Sequence, residues 1–182
     1  MKSIATSGER RTLLRRIIIY SIVIFFLGVL QCSFFSRLSP FGATPDMMLA
    51  LVCAIALIDT EKRAAWVAGI GAGYFIDALG ATAPSFSALF YFVCATFAII
   101  MGEKLIPKLL SFLLLMIPML VLKALCTYSN LWVATGIRPP FSVMGGVILP
   151  ELLSTLVLCI PIYFLIKLCM LPIEARSKFS FR

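Results

Sequence analysis

Six apolar runs occupy most of this chain, and prolines, glycines or charged residues separate them. The runs cover residues 17–35, 46–58, 64–80, 86–101, 109–128 and 150–171. A helix needs about 20 apolar residues to cross a bilayer. The second run, about 20 Å long as a helix, crosses only if the bilayer thins or neighbouring helices shield it. We predict an all-α integral membrane protein in which six transmembrane helices form a compact bundle.

The composition agrees with a membrane domain that takes up nearly the whole chain. Hydrophobic residues make up 62% of the sequence, charged residues 13%, and the mean hydropathy is +1.07. These values are typical of integral membrane proteins. A basic leader, residues 1–16, and a polar tail, residues 172–182, flank a six-span domain, residues 17–171. The leader lacks a small-x-small cleavage pattern near the first run, which favours a retained span over a signal peptide.

The basic residues predict the orientation of the six spans, because cytoplasmic loops carry an excess of Lys and Arg. With a cytoplasmic leader, both termini are cytoplasmic, Arg37 and Arg138 fall in outer loops, and Lys123 lies within the fifth run. The other 13 of the 16 basic residues then lie at inner ends of the runs: Lys2, Arg10, Arg11, Arg15, Arg16, Lys62, Arg63, Lys104, Lys108, Lys167, Arg176, Lys178 and Arg182.

The third run carries small residues at a spacing of four. Ala65, Gly69, Gly73 and Asp77 lie on one side of a helix, because residues four apart stack on each other. Helices associate in lipid where small residues let their backbones approach closely. An ionised carboxylate at the bilayer centre costs roughly 3 kcal/mol, so Asp77 should face protein, a partner charge or water. We predict that this stripe packs against another helix, either one of the same bundle or the span of a partner protein.

Four ionisable residues fall in the predicted outer half of the bundle. Asp46 and Glu151 begin the second and sixth runs. Asp77 and Lys123 lie deeper in theirs, each about 20 Å above the inner boundary by the helical rise. We predict an outer polar cluster of these four residues, in which Lys123 neutralises Asp77 or Glu151. Alternatively, Asp46 and Glu151 only cap helix N-termini at the headgroups, where carboxylates are favoured.

Motifs for catalysis or cofactor binding are missing from the sequence. There is no histidine, which removes Ser-His and Cys-His nucleophile pairs and HExxH metal sites. We therefore expect no enzyme activity, cofactor or metal. We also expect no nucleic-acid binding, since the net charge of +8 reflects the basic inner ends of the runs. The leader either only orients the first span or also contacts anionic lipid or a cytoplasmic partner. The six cysteines occur singly within apolar runs, which is typical of small apolar fillers: Cys32, Cys53, Cys94, Cys126, Cys159 and Cys169.

A family resemblance rests on three stretches in a fixed order. They are PDMMLALVCAIAL (residues 45–57), GIGAGYFIDALG (69–80) and SFSALFYFVCATFA (85–98). Together they resemble the rod shape-determining membrane protein MreD family. In that family a Pro-Asp pair opens the second span, a small-xxx-small helix ends in Asp, and Ser-Ala-Leu opens the next span. Pro45, Asp46, Gly69, Gly73 and Asp77 match these motif positions.

The resemblance implies a non-enzymatic scaffold of the bacterial elongation machinery in the cytoplasmic membrane. Its partners would be an MreC-like bitopic protein, the MreB cytoskeleton, and the RodA glycosyltransferase with its penicillin-binding transpeptidase. The alternative is the substrate-binding (S) component of an ECF-type vitamin transporter, a six-span family whose fold MreD is thought to share. In such a component the outer polar cluster would bind a small polar ligand. Against this alternative, the first run lacks the Ala-x-x-x-Ala surface that those components usually carry.

Overall fold

The computed structural model describes residues 7–38, 42–80, 87–106, 108–136 and 142–179. All regular structure in these ranges is helical, and three segments are long and apolar enough to cross a membrane: Arg11–Leu38, Leu109–Val133 and Met144–Met170. The all-helical prediction is therefore confirmed, and three candidate membrane spans agree with the predicted membrane domain. The six main helices are α1 (Ser7–Leu30), α2 (Met47–Ile58), α3 (Lys62–Gly80), α4 (Ser87–Gly102), α5 (Leu109–Thr135) and α6 (Leu149–Phe179).

Helix α2 is the centre of the bundle. It contacts each of the other five helices, and every residue from Met47 to Leu57 is buried. Its 12 residues make a helix about 18 Å long, well short of a hydrocarbon core about 30 Å thick. Because its neighbours surround it, α2 is shielded on all sides. For so short a run the sequence predicted bilayer thinning or shielding by neighbouring helices, and the structure shows the shielding.

Side-chain contacts show that successive helices run in alternating directions. At one end of the bundle, the start of α2 meets the end of α1, the start of α6 and the later part of α5. At the opposite end, Asp59 follows α2 and meets the early part of α1. We call these the Asp46 end and the Asp59 end of the bundle.

The small-residue stripe of α3 packs against α4 of the same chain. A Cβ atom at Gly73 would lie 2.3 Å from the Ala88 Cα atom, and one at Gly69 would lie 2.9 Å from the Tyr91 carbonyl oxygen. Only glycine allows the two backbones to come this close. The stripe is therefore a packing surface within this chain. The face that the sequence also offered to a partner span is occupied by α4.

The peripheral helices turn apolar faces away from α2. On α5 the exposed residues follow a three-to-four spacing, which places them on one side of the helix: Leu110, Leu114, Ile117, Val121 and Leu125. Comparable exposed apolar residues occur on α1, α3, α4 and α6. Such a surface suits contact with lipid.

Several helices extend beyond the limits that hydropathy predicts. Helix α1 begins at Ser7 within the leader and continues through a π-helical segment, Gln31–Phe35. Helix α5 runs to Thr135, beyond the end of the fifth run at residue 128, and so includes Trp132. Helix α6 continues to Phe179 within the tail. A second π-helical segment, Met144–Ile148, precedes α6. Hydropathy marks where side chains suit lipid, whereas the backbone hydrogen bonding of a helix can continue into the polar region.

Candidate functional site

The start of α2 is buried, and side chains from three helices bind its backbone amides. The Asp46 amide donates to Thr155 Oγ1 at 2.9 Å, and the Met47 amide donates to Gln31 Oε1 at 2.9 Å. Asp46 is the N-cap residue, and its Oδ1 accepts from the Leu49 amide at 3.0 Å. The first amides of a helix lack partners within that helix, and in apolar surroundings an unpaired amide costs several kcal/mol. These side chains therefore replace the water that a helix start would otherwise need.

The Asp46 carboxylate binds further groups from two more helices. The Tyr91 hydroxyl lies 2.8 Å from each carboxylate oxygen, and Lys123 Nζ lies 2.7 Å from Oδ2. The Asp46 side chain is only 3% exposed. Five helices thus contribute to one group of residues, which we call the Asp46 cluster: Gln31, Asp46, Tyr91, Lys123, Glu151 and Thr155.

Lys123 is shared between two carboxylates. Its Nζ atom lies 3.8 Å from Glu151 Oε1, so this contact is looser than the bond to Asp46. The ammonium also lies 5.7 Å from the Phe90 ring centroid and 6.0 Å from that of Tyr91, distances at which aromatic faces attract cations. Removing one partner of a buried ion pair is costly, because the other charge stays buried without compensation. We therefore assign Lys123 the role of holding α4, α5 and α6 to the start of α2.

A second cluster closes the opposite end of α2. The Arg16 guanidinium forms an ion pair with Asp59, and the Tyr20 hydroxyl donates to Asp59 Oδ2 at 2.5 Å. The same hydroxyl lies 2.9 Å from Met170 Sδ, which brings α6 to this site. Asp59 Oδ1 accepts from the Glu61 amide at 2.8 Å. We call Arg16, Tyr20, Asp59 and Met170 the Asp59 cluster.

The Asp59 cluster was not predicted from the sequence. Arg16 was placed in the basic leader and Asp59 fell in the short segment between the second and third runs, whereas both residues are buried. One feature of the sequence pointed to this cluster: Arg16 and Tyr20 are four residues apart and therefore share a helix face. A second feature was the position of Asp59 directly after an unbroken apolar run, where burial of its carboxylate calls for a cation.

Of the four residues of the predicted outer cluster, the structure brings three together. Asp46, Lys123 and Glu151 meet, and Asp46 also acts as the helix cap that the sequence proposed as an alternative. Asp77 does not pair with Lys123 within 4 Å. Its Oδ2 instead accepts from the Ala88 amide at 3.4 Å, and its Oδ1 has no hydrogen-bond partner among the described residues, which exclude 81–86. The reason is geometric, because Asp77 lies one turn beyond Gly73 and so faces the start of α4.

The cysteines are free thiols spread over five helices. Cys53, Cys94 and Cys159 are buried. Within the described ranges, no group of three or more His, Cys, Asp or Glu side chains is arranged to hold a metal ion. What the two clusters do chemically is neutralise buried charge and satisfy backbone amides, so their geometry is that of interhelical ties.

Comparison with family models, with curated proteins and with solved structures gives no match to this chain. Its function is therefore inferred from its own residues and their contacts.

Proposed function

We propose that this chain is a non-enzymatic membrane scaffold of the bacterial cell-elongation machinery, similar to MreD. It would bind an MreC-like bitopic partner and so support rod shape and lateral peptidoglycan synthesis. One observation carries the proposal. The three stretches with the resemblance fall on α2, α3 and α4, and these helices all contact one another. The motif residues therefore belong to one packed unit and are not scattered through the bundle.

In this proposal all six helices cross the cytoplasmic membrane, with the Asp46 end outward and both termini in the cytoplasm. The alternating helix directions support this topology. So does the charge distribution, because Arg16, Lys62 and Arg63 all lie at the Asp59 end. Helices α3 and α4, with 19 and 16 residues, reach about 28 Å and 24 Å. Slight thinning of the bilayer accommodates these lengths.

The partner's span would dock on the lipid-facing surface, because the glycine stripe of α3 is occupied by α4. On α3 an exposed face about 100° around the helix from the glycine stripe carries Trp66, Ile70 and Tyr74 at a spacing of four, and the Tyr74 side chain is 73% exposed. Tight internal packing of α2, α3 and α4 would give this face a fixed shape. A scaffold needs such a fixed surface, since association in lipid depends on van der Waals fit.

Co-expression with an MreC-like bitopic protein tests the proposal. We expect the two chains to co-purify in mild detergent, and we expect depletion of this chain to convert rod cells to spheres. A photocrosslinking residue at Tyr74 should capture the partner, whereas the same residue at buried Ala72 should not. If the cells keep their rod shape and neither position captures a bitopic protein, the scaffold proposal fails.

The transporter alternative draws on one feature of the Asp46 cluster. The side chains of Lys123 and Glu151 are 23% and 17% exposed, so a small polar ligand could reach them from the Asp46 end. A thermal-shift assay with a panel of vitamins distinguishes the two functions. Tight binding of a vitamin that Lys123→Met abolishes would favour the transporter component, and no shift with any vitamin favours the scaffold.

A further inference from the structure

Helix α1 has a basic segment at one end of its exposed face. At 100° per residue, Arg11, Arg15 and Ile18 lie within about 60° of one another around the helix, and Ile22 and Phe26 fall on the same side. All five side chains are exposed, and Ile22 and Phe26 are 63% and 65% exposed. Two guanidinium groups thus lie directly beyond an apolar stripe that faces away from the bundle.

Arg16 differs from its two neighbours in this segment. It points inward, is 8% exposed, and forms the ion pair with Asp59. Among the described side chains, no carboxylate lies within 4 Å of the Arg11 or Arg15 guanidinium. The Asp59 cluster therefore neutralises one arginine and leaves two positive charges at the surface.

We propose that this face binds an anionic phospholipid of the leaflet at the Asp59 end. Residues four apart on a helix are neighbours, so both guanidinium groups reach one phosphate, which arginine binds through paired hydrogen bonds. The acyl chains lie along Ile18, Ile22 and Phe26. The two arginines continue directly into the apolar stripe, and a phospholipid likewise joins a charged headgroup to apolar acyl chains. An acidic protein segment would use the arginines and leave the apolar stripe without a role.

The ion pair between Arg16 and Asp59 positions this lipid site. It fixes the rotation of α1 about its own axis, because Arg16 lies 100° from Arg15 and must face the bundle. Rotation of α1 about its axis would move Arg11 and Arg15 away from their outward positions. The lipid site therefore depends on the ion pair between Arg16 and Asp59, although the lipid does not contact that pair.

Native mass spectrometry of the full chain tests this inference. The protein is purified in a neutral detergent and mixed with phosphatidylglycerol or phosphatidylcholine of the same acyl chains. We expect preferential retention of phosphatidylglycerol. Each arginine near an anionic headgroup contributes roughly fivefold in affinity, so Arg11→Gln/Arg15→Gln should weaken binding by about 25-fold. Arg37→Gln is the matched control, because Arg37 is an exposed arginine near the opposite end of the same continuous helix.

Two further measurements keep the test decisive. The melting temperature of the wild-type chain should rise more with phosphatidylglycerol than with phosphatidylcholine. Salt at about 0.5 M, which shortens the electrostatic screening length to about 4 Å, should reduce this difference. Arg11→Lys/Arg15→Lys should restore part of the preference lost in the glutamine variant. Equal retention of the two lipids by the wild-type chain, or an unchanged preference in the glutamine variant, would overturn the proposal. Capture of an acidic protein with no lipid preference would overturn it as well.

Discussion

The close approach between Gly73 of α3 and the start of α4 offers a sharp test of the packing. A Cβ atom at Gly73 would lie 2.3 Å from Ala88 Cα and 2.6 Å from the Ser87 carbonyl carbon. Both are backbone atoms, so no change of side-chain rotamer relieves the overlap. Carbon atoms pack at about 3.5 Å or more, so Gly73→Ala forces the two helices apart by roughly 1 Å.

Gly71 supplies the matched control on the same helix. A Cβ atom there would meet only Ile24 Cδ1, at 3.8 Å, which is an ordinary contact. Both substitutions change a glycine to alanine inside α3, so their effects on helix propensity cancel in the comparison. Overpacking costs about 1–3 kcal/mol, and we expect Gly73→Ala to have a free energy of unfolding lower than that of Gly71→Ala by this amount. We expect Gly71→Ala to raise the free energy of unfolding by up to about 1 kcal/mol, the gain in helix propensity.

The assay is unfolding in mixed micelles with increasing sodium dodecyl sulfate, followed by tryptophan fluorescence. Trp66 and Trp132 are the two reporters. The free energies of unfolding of both variants are compared with that of the wild-type chain under the same conditions. Equal stability of the two variants would refute the close contact between α3 and α4 at Gly73.

Three further predictions concern the ends and the centre of α2. Arg16→Met should cost about 3–5 kcal/mol of stability by leaving Asp59 unpaired, and adding Asp59→Asn should recover part of that loss; no recovery would argue against the pair. Gln31→Leu should cost about 1–3 kcal/mol in the same unfolding assay, because the first amide of α2 loses its acceptor. A small maleimide should modify exposed Cys32 and leave buried Cys53 unmodified until the chain is unfolded, as mass spectrometry would show; rapid reaction of Cys53 would contradict a central α2.

The helices were predictable because hydropathy and side-chain periodicity are local properties. The spacing of Ala65, Gly69 and Gly73 identified a close-packing face without knowledge of its partner. What covers that face was not predictable, because any neighbouring helix or a partner span satisfies the same pattern. The structure assigns it to α4, the next helix in the chain.

The ion pairs were less predictable, because depth along a helix does not specify rotation between helices. Asp46, Asp77 and Glu151 all fall near the depth of Lys123, and the partner predicted for Lys123 was Asp77 or Glu151. The structure selects Asp46, whose helix is central and therefore contacts α5 directly. Arg16 illustrates the same limit, since a basic residue at a membrane boundary normally faces water or headgroups, yet here it faces Asp59.

The central claim is that α2 is held in the middle of the bundle by charges from its neighbours, with Lys123 as the cation at the Asp46 end. Two double-mutant cycles on unfolding free energy measure it most directly. The first combines Asp46→Asn with Lys123→Met, and the second combines Asp77→Asn with Lys123→Met. We predict a coupling energy of about 0.5–3 kcal/mol in the first cycle and close to zero in the second. No coupling between Asp46 and Lys123, or a larger one between Asp77 and Lys123, would contradict the account.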